Sequence, residues 1–226
     1  MLLISATNEW RTNHPGAVIG LLEISGMENA HSSPQLNERK RETEALLREK
    51  YKDFTRQDFL SLPVMSAYDQ YYKRFNKTYH VQLQLESIVL KGKSLPDVSP
   101  LVDSNFIAEV ETLVLTAGHD AEKLSAPFLM DVSREGDHFT QMTGETKTIR
   151  AGDMIMRDAD GICCSIIYGQ DNRSPISTMT SNVLYVAYAP VGVPAETVDA
   201  QLIRIEENIR LFSPNAILER HQLLSA

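Results

Sequence analysis

Cysteine is scarce. The 226 residues hold two, Cys163 and Cys164, and they are adjacent. Neighbouring side chains on an extended strand point to opposite faces, so the pair cannot close the usual structural bridge. A disulfide-stapled secreted domain is therefore excluded, and a reducing, cytoplasmic setting is expected. No apolar run reaches about 18 residues, which excludes a membrane-spanning helix. The opening MLLISA is short and lacks the positive start of a secretory leader. No GxGxxG, Walker loop, GxSxG elbow or HExxH is present. The six histidines (His14, His31, His80, His119, His138, His221) are scattered without metal-ligand spacing, so neither a metal nor a cofactor is expected. Positive charge is also in deficit. The net charge is -8 and the pI about 5.3, which argues against indiscriminate nucleic-acid binding.

What remains is ordinary globular composition, 42% hydrophobic and 23% charged, with no repeat and no low-complexity tract. The charge is uneven: residues 1–100 hold 13 Lys/Arg against 12 Asp/Glu, and residues 101–226 hold 9 against 18. A polyanion would approach the N-terminal half, although solvated surface explains such a distribution as well.

AVIGLLEIS (17–25), bounded by Pro15-Gly16 and Gly26, reads as a buried strand. Ser33-Pro34 opens a helix over about 34–52, whose many charges put it on the surface. A second helix, about 64–76, spaces Met65, Tyr68 and Tyr72 along one face, and a third, about 80–91, stops at Gly92. Residues 100–117 give the clearest helical pattern, with Val102, Phe106, Val110, Leu113 and Ala117 on one stripe and Gly118 as a left-handed cap. His119-Asp120 would then lie just past the helix end, where a histidine either serves a site or favours the helix dipole; the structural role is preferred. Beyond residue 125 the period changes. FLMDV (128–132), DMIMRD (153–158), ICCSIIY (162–168) and NVLYVAYAP (182–190) read as strands split by turns at 135–137, 151–153 and 169–172. The adjacent cysteines inside an apolar strand read as buried structural residues rather than nucleophiles. A last helix from Pro194 sets Val198, Leu202, Ile205, Ile209 and Phe212 on one face. Strand, helices, strands, helix is an α+β order, not an alternating parallel one.

The block LKGKSLPDVSPLVDSNFIAEVETLVLTAGHDAEKL (90–124), with Val102-Asp103 and Asp120 followed by Lys123-Leu124, resembles part of the B3/B4 editing module of the phenylalanyl-tRNA synthetase beta subunit. The likeness continues through residues 144–190, in Asp153-Met154-Ile155, Gly169, Thr180 and Asn182-Val183-Leu184. Pro15-Gly16 before an early strand and the aromatic-basic AYDQYYKRF (67–75) are similar to free-standing proteins carrying this domain. The resemblance implies mixed layered sheets with packed helices. It also implies an N-terminal strand and helical extension (1–76) packed on a B3/B4-like domain with a C-terminal helix (77–226).

That module hydrolyses wrongly attached tyrosine from the end of a transfer RNA, and the resemblance is carried over residue by residue. The family's pocket glycine corresponds to Gly169, and its strand end to Ser165 through Tyr168. Its tyrosine-binding glutamate falls on Val186. Its histidine falls on Ala117, two residues from His119, and its asparagine on Phe106, beside Asn105. A pocket is thus expected between Gly118-His119-Asp120 and Ser165–Gly169. Tyrosine is not the expected cargo, because valine cannot bond a phenol. The implied activity is hydrolysis of misacylated transfer RNA or an aminoacyl ester. The alternative is a non-catalytic module holding an amino acid or an RNA end, and a third role is that of an adaptor. The sequence contains no synthetase catalytic module. The implied partners are an aminoacylated transfer RNA or a small amino-acid-like ligand, with Lys73, Arg74, Lys77, Lys91 and Lys93 near the RNA.

Overall fold

The computed structural model describes residues 2–29 and 33–226; His31 lies outside them. Among the described residues the chain forms β1 (Ile4–Ala6), α1 (Asn8–Asn13), β2 (Val18–Ser25) and five helices in succession. These are α2 (Pro34–Lys50), α3 (Arg56–Ser61), α4 (Pro63–Lys73), α5 (His80–Val89) and α6 (Pro100–Thr112). Then follow β3 (Thr116–Asp120), a 3-10 turn, β4 (Phe128–Val132), β5 (His138–Thr140), β6 (Thr146–Thr148), β7 (Met154–Asp158), β8 (Gly161–Ser165), β9 (Gly169–Gln170) and β10 (Val183–Ala189). The chain closes with α7 (Ala195–Arg210) and β11 (Ile217–Ser225). The fold is α+β.

Two sheets carry the architecture. One is antiparallel with strand order β11-β2-β10-β3; the other runs β1-β4-β7-β8-β9, with β1 parallel to β4 and its other pairings antiparallel. β2, a central strand with α7 packed on one face at Gly20, is buried at all but its last residue, which is why it reads as a continuous apolar run. One face of that sheet carries α6 and α7, to which Tyr185 is fastened through the Leu101 carbonyl (2.7 Å). The other faces the five-stranded sheet, where Tyr188 meets Cys164. The result is three layers, helix on sheet on sheet. Both N-terminal strands, β1 and β2, pair with strands beyond residue 115.

α4 fastens the layers together. Its buried Tyr68 hydroxyl donates to the Tyr188 carbonyl of β10 (2.7 Å) and accepts from the Leu115 N–H (3.0 Å). Tyr71 donates to Asp153 (2.7 Å), just before β7, and Tyr72 to the Ile166 carbonyl (2.7 Å), just past β8 of the other sheet.

Three expectations are corrected. The helix read over 100–117 stops at Thr112, with Leu113 in the left-handed conformation at φ 67°, and Gly118 is a strand residue rather than a cap. Helical amides point back to carbonyls four residues earlier, but here side chains take them. Val114 N–H donates to Thr112 Oγ1 (3.3 Å), Leu115 N–H to Tyr68 and Thr116 N–H to Glu109 Oε1 (2.8 Å). The freed segment pairs with β10 instead, and of the predicted stripe Val102, Phe106 and Ala117 are only half-buried. Second, α2 is not merely a surface helix: Lys40 is fully buried between Asp97 (2.7 Å) and Asp103 (2.6 Å), and the Glu44 carboxylate accepts the Leu95 N–H (2.7 Å). These two charges are paired inside the molecule, while Glu38, Glu42, Glu49 and Lys50 of the same helix are exposed. Third, the strand read over 162–168 ends at Ser165, and residues 166–168 form a turn. Not foreseen were β1, α1, α3, the β5–β6 hairpin, β9 and β11. Most are short, and β11 (ILERHQLLS) carries charge in its middle, masking a strand pattern.

Candidate ligand-binding site

A cavity of about 360 Å³ opens where the edges of both sheets meet α6. α6 contributes Val102, Asn105 and Phe106; the run into β3 contributes Leu115 through Gly118; the β8–β9 turn contributes Cys164, Ser165, Ile166, Gly169 and Gln170. Ile176, Tyr185 and Tyr188 add further walls. Val98, Met142 and His80 lie at the exposed rim. The lining is largely hydrocarbon and aromatic with a few polar groups, the usual make-up of a small-molecule site.

Gly118 is required for close approach. A Cβ there would stand 2.7 Å from Ile176 Cδ1 and 2.9 Å from Tyr185 Cε1, so the missing side chain leaves room for the Tyr185 ring at the wall. Gly169, at φ 87°, takes a left-handed turn open only to glycine without strain.

Two buried carboxyls hold the walls. Asp153 accepts from Tyr71, from the Ser165 hydroxyl and from the Ile167 N–H (3.2 Å), and so braces the 165–169 turn. Burial outweighs those donors and pushes its pKa up to about 7. Glu109, behind Thr116, is pushed by burial up to about 8, against the opposing pull of the Thr116 N–H and the Asn105 side chain. A polar network joins it to the cavity. Asn105 donates to the Thr116 carbonyl (3.0 Å), and Gln201 donates to Asn105 (3.4 Å) and to Thr116 Oγ1 (3.0 Å). Neither Glu109 nor Gln201 was singled out from the sequence. The one hint was a carboxylate at 109 on a helix otherwise apolar around it.

Of the residues expected at the site, Asn105, Ser165 and Gly169 line the cavity. His119, Asp120, Tyr168 and Val186 do not. His119 is a buried strand residue rather than a loop residue. Its Nδ1 lies 2.8 Å from Ser174 Oγ and 3.1 Å from Gln170 Nε2, so it stands behind a lining residue, and burial lowers its pKa to about 3. Asp120, also in the strand, accepts from Thr180 Oγ1 (2.8 Å) and from the Glu122 N–H (3.2 Å). Val186 is fully buried in mid-strand, paired with Leu21 and Ala117. Tyr168 packs on a small satellite core.

The basic residues divide. Lys73 and Lys77, with Arg56, border a separate groove of about 380 Å³ that also includes Thr78, two residues from His80 at the cavity rim. The Lys77 ammonium lies 5.9 Å over the Tyr168 ring. Arg74 is held over Tyr71 and Phe75. Lys91 and Lys93 follow the opposite end of α5, about 15 Å along the helix from His80.

Chemically, the site binds more readily than it attacks. Ser165 donates to Asp153 and accepts from the Tyr168 N–H (3.0 Å), so both capacities of its hydroxyl are engaged. Burial pushes the Cys164 thiol up to about 12, and a protonated thiol is a poor nucleophile. Among the described residues no group of three or more His, Cys, Asp or Glu is placed to hold a metal, and no helix is long and apolar enough to cross a membrane.

An α+β chain of three layers, with an apolar cavity at the edges of its two sheets, is the class defined so far. The family model for the B3/4 domain matches residues 66–203, more than half of the chain, and the chain belongs to that family. Every residue lining the cavity falls inside the matched segment. No curated protein matches the sequence. Among solved structures, it is similar to an N-terminal fragment of the phenylalanyl-tRNA synthetase beta-subunit from Pyrococcus horikoshii, with 10% identity and a TM-score of 0.49. That likeness covers 97% of this chain, which spans about half (54%) of the fragment.

Proposed function

We propose that this chain holds the side chain of an amino-acid-like group in the cavity, presented as the aminoacyl end of an RNA. The observation that carries the reading is the cavity itself: about 360 Å³, mostly apolar, with Asn105, Thr116, Ser165 and Gln170 as polar fixtures. It lies wholly within the B3/4 segment, whose motifs in this sequence resemble a synthetase editing module. The neighbouring groove supports an RNA partner through the ammonium of Lys77, while Lys73 and Arg56 on its border are ion-paired with Asp69 (2.5 Å) and Glu86 (3.4 Å). A reducing, cytoplasmic setting suits two free, buried thiols.

Hydrolysis of the bound ester is a second reading, favoured by His80. It stands at the rim with Nδ1 3.4 Å from the Tyr72 hydroxyl, so its other nitrogen is free to take a water's proton.

The test is titration calorimetry with a panel of free amino acids, together with misacylated transfer RNAs followed separately for binding and deacylation at low and moderate salt. Binding is expected, weakening with salt through a few phosphate contacts. Val98→Trp, at a rim position 60% exposed, is expected to obstruct the mouth and lower affinity without changing the melting temperature. Release of the amino acid in step with binding would establish the hydrolytic reading. Neither binding nor release would overturn both.

A further inference from the structure

Gln170 keeps a side-chain acceptor free. Of the two side-chain carbonyls at the cavity, that of Asn105 accepts from Gln201, whereas Gln170 Oε1 has no partner among the described residues. The residue is half-buried and Oε1 is not enclosed, so the atom meets open space. Nor is the amide free to turn round. Nε2 donates to the Ser174 carbonyl (2.9 Å), and the reverse orientation would set Oε1 against that oxygen, acceptor against acceptor. Gln170 therefore presents a carbonyl rather than an N–H to whatever enters.

Its place in the fold says which end of a ligand it meets. Gln170 lies on β9, the edge strand of the five-stranded sheet, and its backbone carbonyl accepts the N–H of Met142, the exposed methionine at the rim (3.3 Å). Cys164, opposite it in the β8–β9 pair, is buried. The hydrocarbon walls take a side chain, so the part of an amino acid left at the level of Gln170 is its α-carbon and the groups on it. No lysine or arginine lines the cavity to meet a carboxylate, and no aspartate or glutamate to meet an ammonium. Before a fixed neutral carbonyl a carboxylate is repelled, and an ammonium finds an acceptor.

We propose that Gln170 is a specificity-determining residue whose Oε1 accepts a hydrogen bond from the α-ammonium of the bound group, and so separates amino acids from carboxylic acids of the same side chain. At the rim the ammonium keeps water on its other N–H groups, which spares it the cost of full burial. This rests on the amino-acid reading of the cavity and assigns the group that fixes the amino end.

The experiment compares the wild-type chain with Gln170→Met, which keeps the length of the side chain and removes its carbonyl. Titration calorimetry near neutral pH is run with phenylalanine against hydrocinnamate and leucine against isocaproate, pairs that differ only in the amino group. The wild type is expected to bind the amino member of at least one pair about tenfold more tightly, the ordinary worth of a hydrogen bond to a charged group. Gln170→Met is expected to lose that preference and keep its affinity for the deamino acid. Phenylalanine trimethylated on nitrogen, which retains the positive charge and has no N–H, asks the same question of the wild type alone. It is expected to bind no more tightly than hydrocinnamate. Equal wild-type affinity within both pairs, binding of the trimethylated ligand as tight as that of phenylalanine, or a preference that survives in Gln170→Met overturns the role of Gln170 and leaves the cavity reading intact. A variant that loses affinity for both members of a pair alike also overturns it, because the side chain then serves only the wall. Binding of no amino acid by the wild type removes the cavity reading and this assignment with it.

Discussion

Glu109 shows how a buried carboxyl contributes to the pH response of the molecule. Its folded pKa is about 8, above the ordinary 4.5, and burial is the main cause. Between those values the fold keeps a proton that the unfolded chain has released. Its stabilising contribution is therefore complete below about pH 4.5 and is lost as pH rises through about 8. Asp153, raised to about 7, acts in the same direction. His119 acts on the acid side: with its pKa lowered to about 3, stability declines as pH falls from 6.5 toward 3. Glu109→Gln keeps an acceptor for the Thr116 N–H and cannot ionise. Chemical denaturation at pH 5 and pH 8.5 is expected to give near-equal midpoints for variant and wild type at the lower pH. At the higher pH the variant should have the higher midpoint. A gap that does not grow with pH would mean that Glu109 titrates near its ordinary value.

The end of α6 is where element-level reasoning from sequence went astray, and two opposed effects meet there. Leu113 sits in the left-handed region, which costs a non-glycine residue roughly 1–2 kcal/mol. Its side chain is also buried in the main core, and truncating a buried leucine costs about 2–5 kcal/mol. Burial wins, so Leu113→Gly is expected to destabilise the protein by about 1–3 kcal/mol despite relieving the backbone. The change in urea midpoint measures it, and a stabilised variant would show that the strain was the larger quantity. The apolar spacing over 100–117 fits a helix well, and the stop is invisible in it, because the side chains that capture the amides come from residues as distant as Tyr68. By contrast, FLMDV (128–132) falls on β4 residue for residue, and Val198, Leu202, Ile205 and Ile209 are all buried on α7.

At the scale of the whole molecule, the sheets join the two ends of the chain. β2 pairs with β10 from Val18–Ala189 to Ile24–Val183, and β11 covers the other edge of β2. The family-matched segment 66–203 contains β10 and β3 but lacks β1, β2 and β11. Expressed alone, that segment is expected not to fold. β10 would lose its neighbour along its full length, and an open apolar edge invites aggregation. Circular dichroism through a thermal melt checks this; a cooperative transition in the fragment would show that β2 is dispensable.

The sequence by itself determined the fold class, the change of period after residue 125, the buried cysteines and the family, since each is written in local periodicity or in motifs of ordered spacing. It also named Asn105, Ser165 and Gly169, three residues that meet at the cavity from α6 and the β8–β9 turn. The tertiary structure alone decided that His119 stands behind the cavity and Val186 away from it. It alone decided that Lys40 is enclosed among carboxylates. Burial and partnership depend on which distant segments pack together, and no local pattern carries that information.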